Sequence, residues 1–133
     1  MVLICADIEV SMPLFMVLDD NEIAREVASK VLSQLHVHPV EMGDSELALE
    51  YCKKTQPDLI ILDIMMPKMD GIEFLREFRN IQGDKRTYVI ACSARNDEAT
   101  VHKMTKLGIN DYILKPFSPE MLETKLIKSG LLD

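Results

Sequence analysis

Five short apolar runs, at residues 14–18, 37–41, 59–62, 88–92 and 112–114, alternate with stretches whose apolar residues recur at helical spacing. Runs this short suit strands buried on both faces, while the stretches between them each present one apolar stripe. Ile23, Ala24, Val27, Ala28, Val31, Leu32 and Leu35 form the first stripe. Asp44 and Ser45 can cap a second helix carrying Leu47, Ala48 and Tyr51, which must end before Pro57 because proline lacks the needed N–H. A third helix follows Gly71, with Phe74, Leu75 and Phe78 inward and Gly83 past its end. The fourth starts near Asn96, buries Val101 and Met104, and stops at Gly108. Ser118 caps the fifth, Pro119 takes its first position, and Leu122 and Leu126 face inward. Such alternation closes into an α/β, doubly wound (βα)5 fold: a parallel sheet covered on both faces, with right-handed crossovers.

The second run is too polar for the middle of that sheet. His36, His38 and Pro39 lie in or beside it, and proline in a strand favours an edge. The fifth run is short. Placing both at the edges gives strand order 2-1-3-4-5, the flavodoxin-like arrangement, in which ligands sit beyond the carboxyl ends of the strands where the winding reverses. The first and third runs flank that crevice, and they stop at Asp19-Asp20 and at Asp63. Three acids at neighbouring strand ends are costly to gather unless a cation neutralises them. Oxygen ligands of this kind suit a hard divalent ion, most often Mg2+. Taken alone, Asp19 and Asp20 are equally well explained as an N-cap and a dipole-favoured acid opening the first helix. Two more polar residues end strands in the same layer, Ser93 after the fourth run and Lys115 after the fifth. Singly these are a turn serine and a solvated loop charge. Together, five polar residues end four strands on one edge of one sheet, and coincidence becomes the weaker explanation.

Phosphoryl transfer to a carboxylate is the chemistry these types support. Asp63 is the candidate nucleophile, forming an aspartyl phosphate. Asp19 and Asp20 hold the metal, which neutralises the phosphoryl oxygens as charge develops. Lys115 pairs with the incoming group and Ser93 donates a hydrogen bond to it. Positioning and charge neutralisation carry the rate.

Phe15-Met16-Val17-Leu18-Asp19-Asp20-Asn21, Ile61-Leu62-Asp63-Ile64-Met65-Met66-Pro67-Lys68-Met69-Asp70-Gly71 and Lys115-Pro116-Phe117 resemble the receiver domains of two-component response regulators, of the single-domain, chemotaxis-regulator-like kind. The resemblance covers about residues 14–128, and residues 63–71 are its most specific part. It implies a phosphorylation-activated signalling protein that accepts a phosphoryl group on Asp63 from a histidine kinase or phosphotransfer protein. It implies Mg2+ bound by Asp20, Asp63 and the backbone carbonyl of Met65, with Asp19 acting through water. Ser93 and Tyr112 become the switch pair: Ser93 moves toward the phosphate and the ring of Tyr112 turns inward behind it. The face built by the fourth helix, fifth strand and fifth helix then changes its affinity for a downstream protein, with a phosphorylation-dependent dimer left open. Lys115-Pro116 is often a cis peptide in this family. Met65 and Arg95 occupy positions that tune phosphoryl lifetime. Met65 offers no carboxamide or carboxylate to orient water, and Arg95 can reach a phosphoryl oxygen or pair with an acid across the site.

Such a chain is a phospho-acceptor rather than an enzyme acting on other substrates. Its alternatives are a receiver excised from a hybrid kinase or multidomain regulator, and a relay intermediate. A haloacid dehalogenase-like phosphatase needs a general acid two residues after the nucleophile, where Met65 stands. A flavodoxin-like flavin binder needs a Ser/Thr/Gly-rich phosphate loop after the first strand, where Asp19-Asp20-Asn21-Glu22 stands.

At 133 residues the expected organisation is a leader at 1–13, β-prone and without an assigned partner, and one receiver domain at 14–133. A disordered leader, an added edge strand and a dimer contact all remain open for residues 1–13. The net charge of −7, without a Lys/Arg cluster, makes direct nucleic-acid binding a poor fit. Cys5, Cys52 and Cys92 form no CxxC pair and read as small core hydrophobes in a reducing compartment. With no apolar stretch of membrane-spanning length and no signal peptide, the expected location is cytoplasmic. His36, His38 and His102 lack metal-ligand spacing and read as surface or edge residues. Met65, Met66 and Met69 read as packing, and Asp97-Glu98 as helix-dipole matching.

Overall fold

The structure is a computed structural model that describes residues 2–5, 8–11, 13–82 and 86–132, the first two stretches by their backbone alone. Near the N-terminus, β1 (Val2–Cys5) and β2 (Ile8–Ser11) pair antiparallel with each other, Val2 opposite Ser11, in a two-stranded sheet of their own. The main sheet contains β3 (Phe15–Leu18), β4 (Val40–Met42), β5 (Leu59–Asp63), β6 (Tyr88–Ser93) and β7 (Asp111–Leu114). Its strands are parallel and ordered β4-β3-β5-β6-β7, which is the expected 2-1-3-4-5 counted along the five. The expected burial of the Cys5 side chain and the place of Gly83 fall outside the described residues.

Among the described residues five helices cover the sheet: α1 (Glu22–Gln34), α2 (Ser45–Lys54), α3 (Gly71–Gln82), α4 (Glu98–Lys106) and α5 (Pro119–Lys128). Side chains alternate along each central strand and so feed two cores. Met16, Leu18, Ile60, Leu62, Val89 and Ala91 meet Ala48, Phe74, Phe78 and Met104 of α2, α3 and α4. Phe15, Val17, Leu59, Ile61, Ile90 and Cys92 meet Ala28, Val31, Leu32, Leu122 and Leu126 of α1 and α5. Each fully buried side chain of this size contributes about 1.5–3 kcal/mol, so the strand-end residues are mounted on the most stable part of the chain. Burial also pushes the Cys92 thiol well above its ordinary pKa and that of Cys52 up to about 11, as expected of inert core cysteines.

Caps fall largely where composition placed them. Asp44 accepts from Glu46 N–H and Leu47 N–H, and Ser118 accepts from Met121 N–H with Pro119 opening α5. Four expectations need correcting. The cap of α1 is Asn21, accepting from Ala24 N–H at 3.0 Å, so Asp19 and Asp20 are not spent on it. Ile23 is 72% exposed, because it sits in the first turn of α1 where the stripe has not yet reached the sheet. Asp97, expected as a dipole-matching acid, is the N-cap of α4, which begins at Glu98. The edge strand starts at Val40 rather than 37. His36 adopts φ 64 and closes α1, with His36 N–H on Ser33 O and Val37 N–H on Leu32 O, leaving the chain unable to extend until it has turned.

At the amino ends of the strands a partly buried polar network ties three elements together. Arg79 of α3 donates from Nε to Leu107 O (3.1 Å), from Nη1 to Thr87 O (3.0 Å) and Gln82 Oε1 (2.6 Å), and from Nη2 to Gly108 O (2.6 Å). Gln82 in turn donates to Thr87 Oγ1, whose hydroxyl donates to Pro57 O. The C-terminal end of α4 is thereby pinned to α3, and Gly108 takes φ 79 to make the turn.

Candidate functional site

Sheet register assembles the site at the opposite pole. Leu18 lies opposite Leu62, so Asp19 emerges beside Asp63. Asp63 lies opposite Cys92, and Ser93 opposite Leu114, so Ser93 and Lys115 each follow one residue on. The ladder continues past the strands through Asp19 N–H to Met42 O (3.0 Å), Ile64 N–H to Cys92 O (3.0 Å) and Lys115 N–H to Ser93 O (2.8 Å). Backbone bonding, not loop packing, fixes these positions.

Asp19, Asp63 and Ser93 are buried, whereas Asp20 and Met65 are exposed at the rim. Asp19, Asp20 and Asp63 each offer one carboxylate oxygen, and these three atoms lie within 4.8 Å of one another. Lys115 Nζ is 2.7 Å from Asp19 Oδ2 and 3.3 Å from Asp63 Oδ1. Asp63 Oδ1 also accepts from Met65 N–H at 3.2 Å, and Asp19 Oδ1 from Asn21 N–H at 2.9 Å. Burial and the neighbouring Asp19 push Asp63 up to about 7, against the opposing pull of Lys115 and the Met65 N–H. Burial disfavours the Lys115 charge, yet Asp19 and Asp63 hold its ammonium above the ordinary lysine range. Two buried acids and one amine leave negative charge in excess. An all-oxygen donor set with that excess fits a hard divalent cation.

Gly71 sets the loop between Asp63 and α3. Its N–H bonds to Ile64 O at 2.9 Å, and a Cβ there would stand 2.5 Å from Asp63 O and 2.6 Å from Ile64 Cα. Only glycine permits that approach. Lys68, at φ 64, turns the same loop, and Lys115-Pro116 is cis.

Ser93 and Tyr112 meet through the backbone of one residue, Arg95. Ser93 Oγ accepts the Arg95 N–H at 3.0 Å, and the Tyr112 hydroxyl donates to Arg95 O. The Arg95 side chain does not reach across the acids; its Nε pairs with Asp97 Oδ1 at 3.0 Å. Arg25 was missed: its Nη1 donates to Asp19 O at 2.7 Å and braces the strand end from α1.

A model of the response regulator receiver domain matches residues 15–127. The chain belongs to that family. This receiver is 35% identical over 123 residues to the probable transcriptional regulator ycf27 of Guillardia theta, covering 92% of this chain and 47% of that protein. It is 33% identical to the phosphate regulon transcriptional regulatory protein PhoB of Escherichia coli, covering 84% and 48%. The receiver thus spans about half the length of these curated relatives. Among solved structures, the chemotaxis protein CheY4 of Vibrio cholerae superposes with TM-score 0.82 at 26% identity, covering 89% of this chain and 98% of that one. The BeF3-activated receiver domain of DrrB gives TM-score 0.77 at 27% identity, covering 89% and 97%. The chain is therefore a receiver of two-component signalling with an acidic pocket, and among the described residues no helix is long and apolar enough to cross a membrane.

Proposed function

We propose that Asp63 accepts a phosphoryl group from a histidine kinase or phosphotransfer protein, and that the event is read through protein contacts of α4, β7 and α5. The observation that carries this is the buried Asp63 carboxylate, fixed at Oδ1 by the Met65 N–H and Lys115. Held at one oxygen, it presents the other to an incoming phosphorus. The O–P bond forms as the N–P bond of the donor phosphohistidine breaks, the electron pair returning to the imidazole nitrogen. Lys115, anchored on Asp19, pairs with a phosphoryl oxygen. Ser93 donates its hydroxyl proton to another while its oxygen faces the Arg95 N–H. Mg2+, held by Asp20, Asp63 and the Met65 carbonyl with Asp19 acting through water, would neutralise the oxygens of the transferring group.

Incubation with Mg2+ and acetyl phosphate tests the acceptor. Intact-mass measurement should show one added phosphoryl group on wild type and none on Asp63→Asn. No gain in wild type, or an equal gain in the variant, would overturn the assignment. Lifetime follows from Met65, which is 52% exposed and carries no polar group to orient attacking water. Met65→Asn should lose its phosphoryl group faster than wild type; an equal or slower loss rejects that role.

A further inference from the structure

The three acids of the cluster are held very differently. Asp19 gives Oδ1 to the Asn21 N–H and Oδ2 to Lys115, and Asp63 gives Oδ1 to the Met65 N–H and to Lys115. The Asp20 carboxylate is exposed and, among the described residues, accepts no hydrogen bond and makes no ion pair. Its place within 4.8 Å of the other two is therefore set by the backbone on either side of it. On the far side the Asn21 N–H is tied to Asp19. On the near side the Asp19 carbonyl lies in the planar peptide unit that joins the two acids, so its bonding partner decides where Asp20 points.

Sheet pairing leaves that carbonyl short of a partner. β3 and β4 run parallel with Leu18 opposite Met42, and the Asp19 N–H still reaches Met42 O. One rung further, a parallel ladder would offer the Asp44 N–H to Asp19 O. There the chain turns into α2, with Asp44 as its N-cap. The Asp19 carbonyl accepts instead from Arg25 Nη1 at 2.7 Å, so a half-buried guanidinium from the first turn of α1 stands in for the rung. Gly43 leaves room for it. A Cβ at 43 would stand 2.7 Å from Arg25 Nη1 and 3.4 Å from its Cζ, but at an ordinary 3.6 Å from Asp19 O. The φ of Gly43 is not positive, so its backbone makes no demand for glycine. What the missing side chain leaves free is the path of the guanidinium.

We propose that Arg25 is a positioning residue for the cation: it fixes the Asp19–Asp20 peptide so that the unheld Asp20 carboxylate stands at the acid cluster, and Gly43 gives it passage. The inference rests on the reading of Asp20 and Asp63 as cation ligands. Its sign sets it apart from a field effect. On charge alone, deleting a guanidinium near a cation site tightens Mg2+ binding; loss of positioning weakens it.

Calorimetric titration of the whole chain with Mg2+ tests this, after circular dichroism in EDTA has shown each variant folded. Arg25→Ala keeps a strong helix former in α1 and should bind Mg2+ about ten-fold more weakly, as for other groups that orient a metal ligand. Gly43→Ala pushes the guanidinium aside and should weaken binding in the same direction by a smaller factor. The double variant should bind as Arg25→Ala does, because the added methyl then has no guanidinium to displace. Mg2+ binding in Arg25→Ala as tight as in wild type, or tighter, overturns the proposal. So does a further loss in the double variant, which would put the effect of Gly43 elsewhere. If Arg25→Ala does not fold, the direction of the change in Gly43→Ala decides. If wild type binds no Mg2+, or Asp63→Asn binds it as wild type does, the cation reading itself has failed.

Discussion

At the amino ends of the strands the charge that joins the elements is the half-buried Arg79 guanidinium, with four of its N–H bonds directed at acceptors on α3, α4 and the approach to β6. At the carboxyl ends it is two carboxylates side by side, Asp19 and Asp63, with one amine between them. The first pole exchanges water for well-placed protein acceptors and rigidifies the fold. The second holds like charges together and destabilises it. Structure and function have been given opposite ends of the same sheet.

The widest gap should appear on removing the cation of the first pole. Arg79→Ala strands the carbonyls of Thr87, Leu107 and Gly108 together with Gln82, and should cost about 3 kcal/mol in denaturant unfolding. A loss below about 1 kcal/mol would mean that water replaces the guanidinium freely. At the second pole the sign reverses. Asp63 is pushed up to about 7 in the folded chain from an ordinary 3.8, so the folded state binds the extra proton between those values. Its contribution to stability is complete below about 4 and is lost as pH rises through about 7. In EDTA, Asp63→Asn should therefore be more stable than wild type by about 1–3 kcal/mol at pH 8, and the difference should shrink toward pH 5. Equal pH profiles would show that the acids do not oppose folding. The smallest effect is the ligand's own: Mg2+ at ten times its Kd should stabilise wild type by about 1.4 kcal/mol and Asp63→Asn by less. Equal gains would place the cation away from residue 63.

The sheet and its polar tips were legible because both signals are local. An apolar run that ends on an acid reports its own strand end, and register carries Asp19, Asp63, Ser93 and Lys115 to one edge without further information. Caps were legible for the same reason. Contacts that depend on where a long side chain travels were not. Arg25 on the Asp19 carbonyl and Arg79 on the end of α4 join residues whose spacing carries no periodic signal. Arg95 pairs with Asp97, two residues along its own loop, rather than with an acid across the site. Ile23 shows the limit of periodicity, since a helical stripe extended by one turn points a residue at solvent. His36 shows that a left-handed closing residue can shift the start of the next strand.

A Cβ at Gly71 would stand 2.5 Å from the Asp63 carbonyl, so that carbonyl and the first turn of α3 are packed as one piece. That helix is in turn locked into the interior through Phe74, Leu75 and Phe78. On this side of Asp63 the chain is an anvil backed by the packed interior, whereas beyond Ser93 it runs to α4 through the exposed Arg95–Asp97 pair.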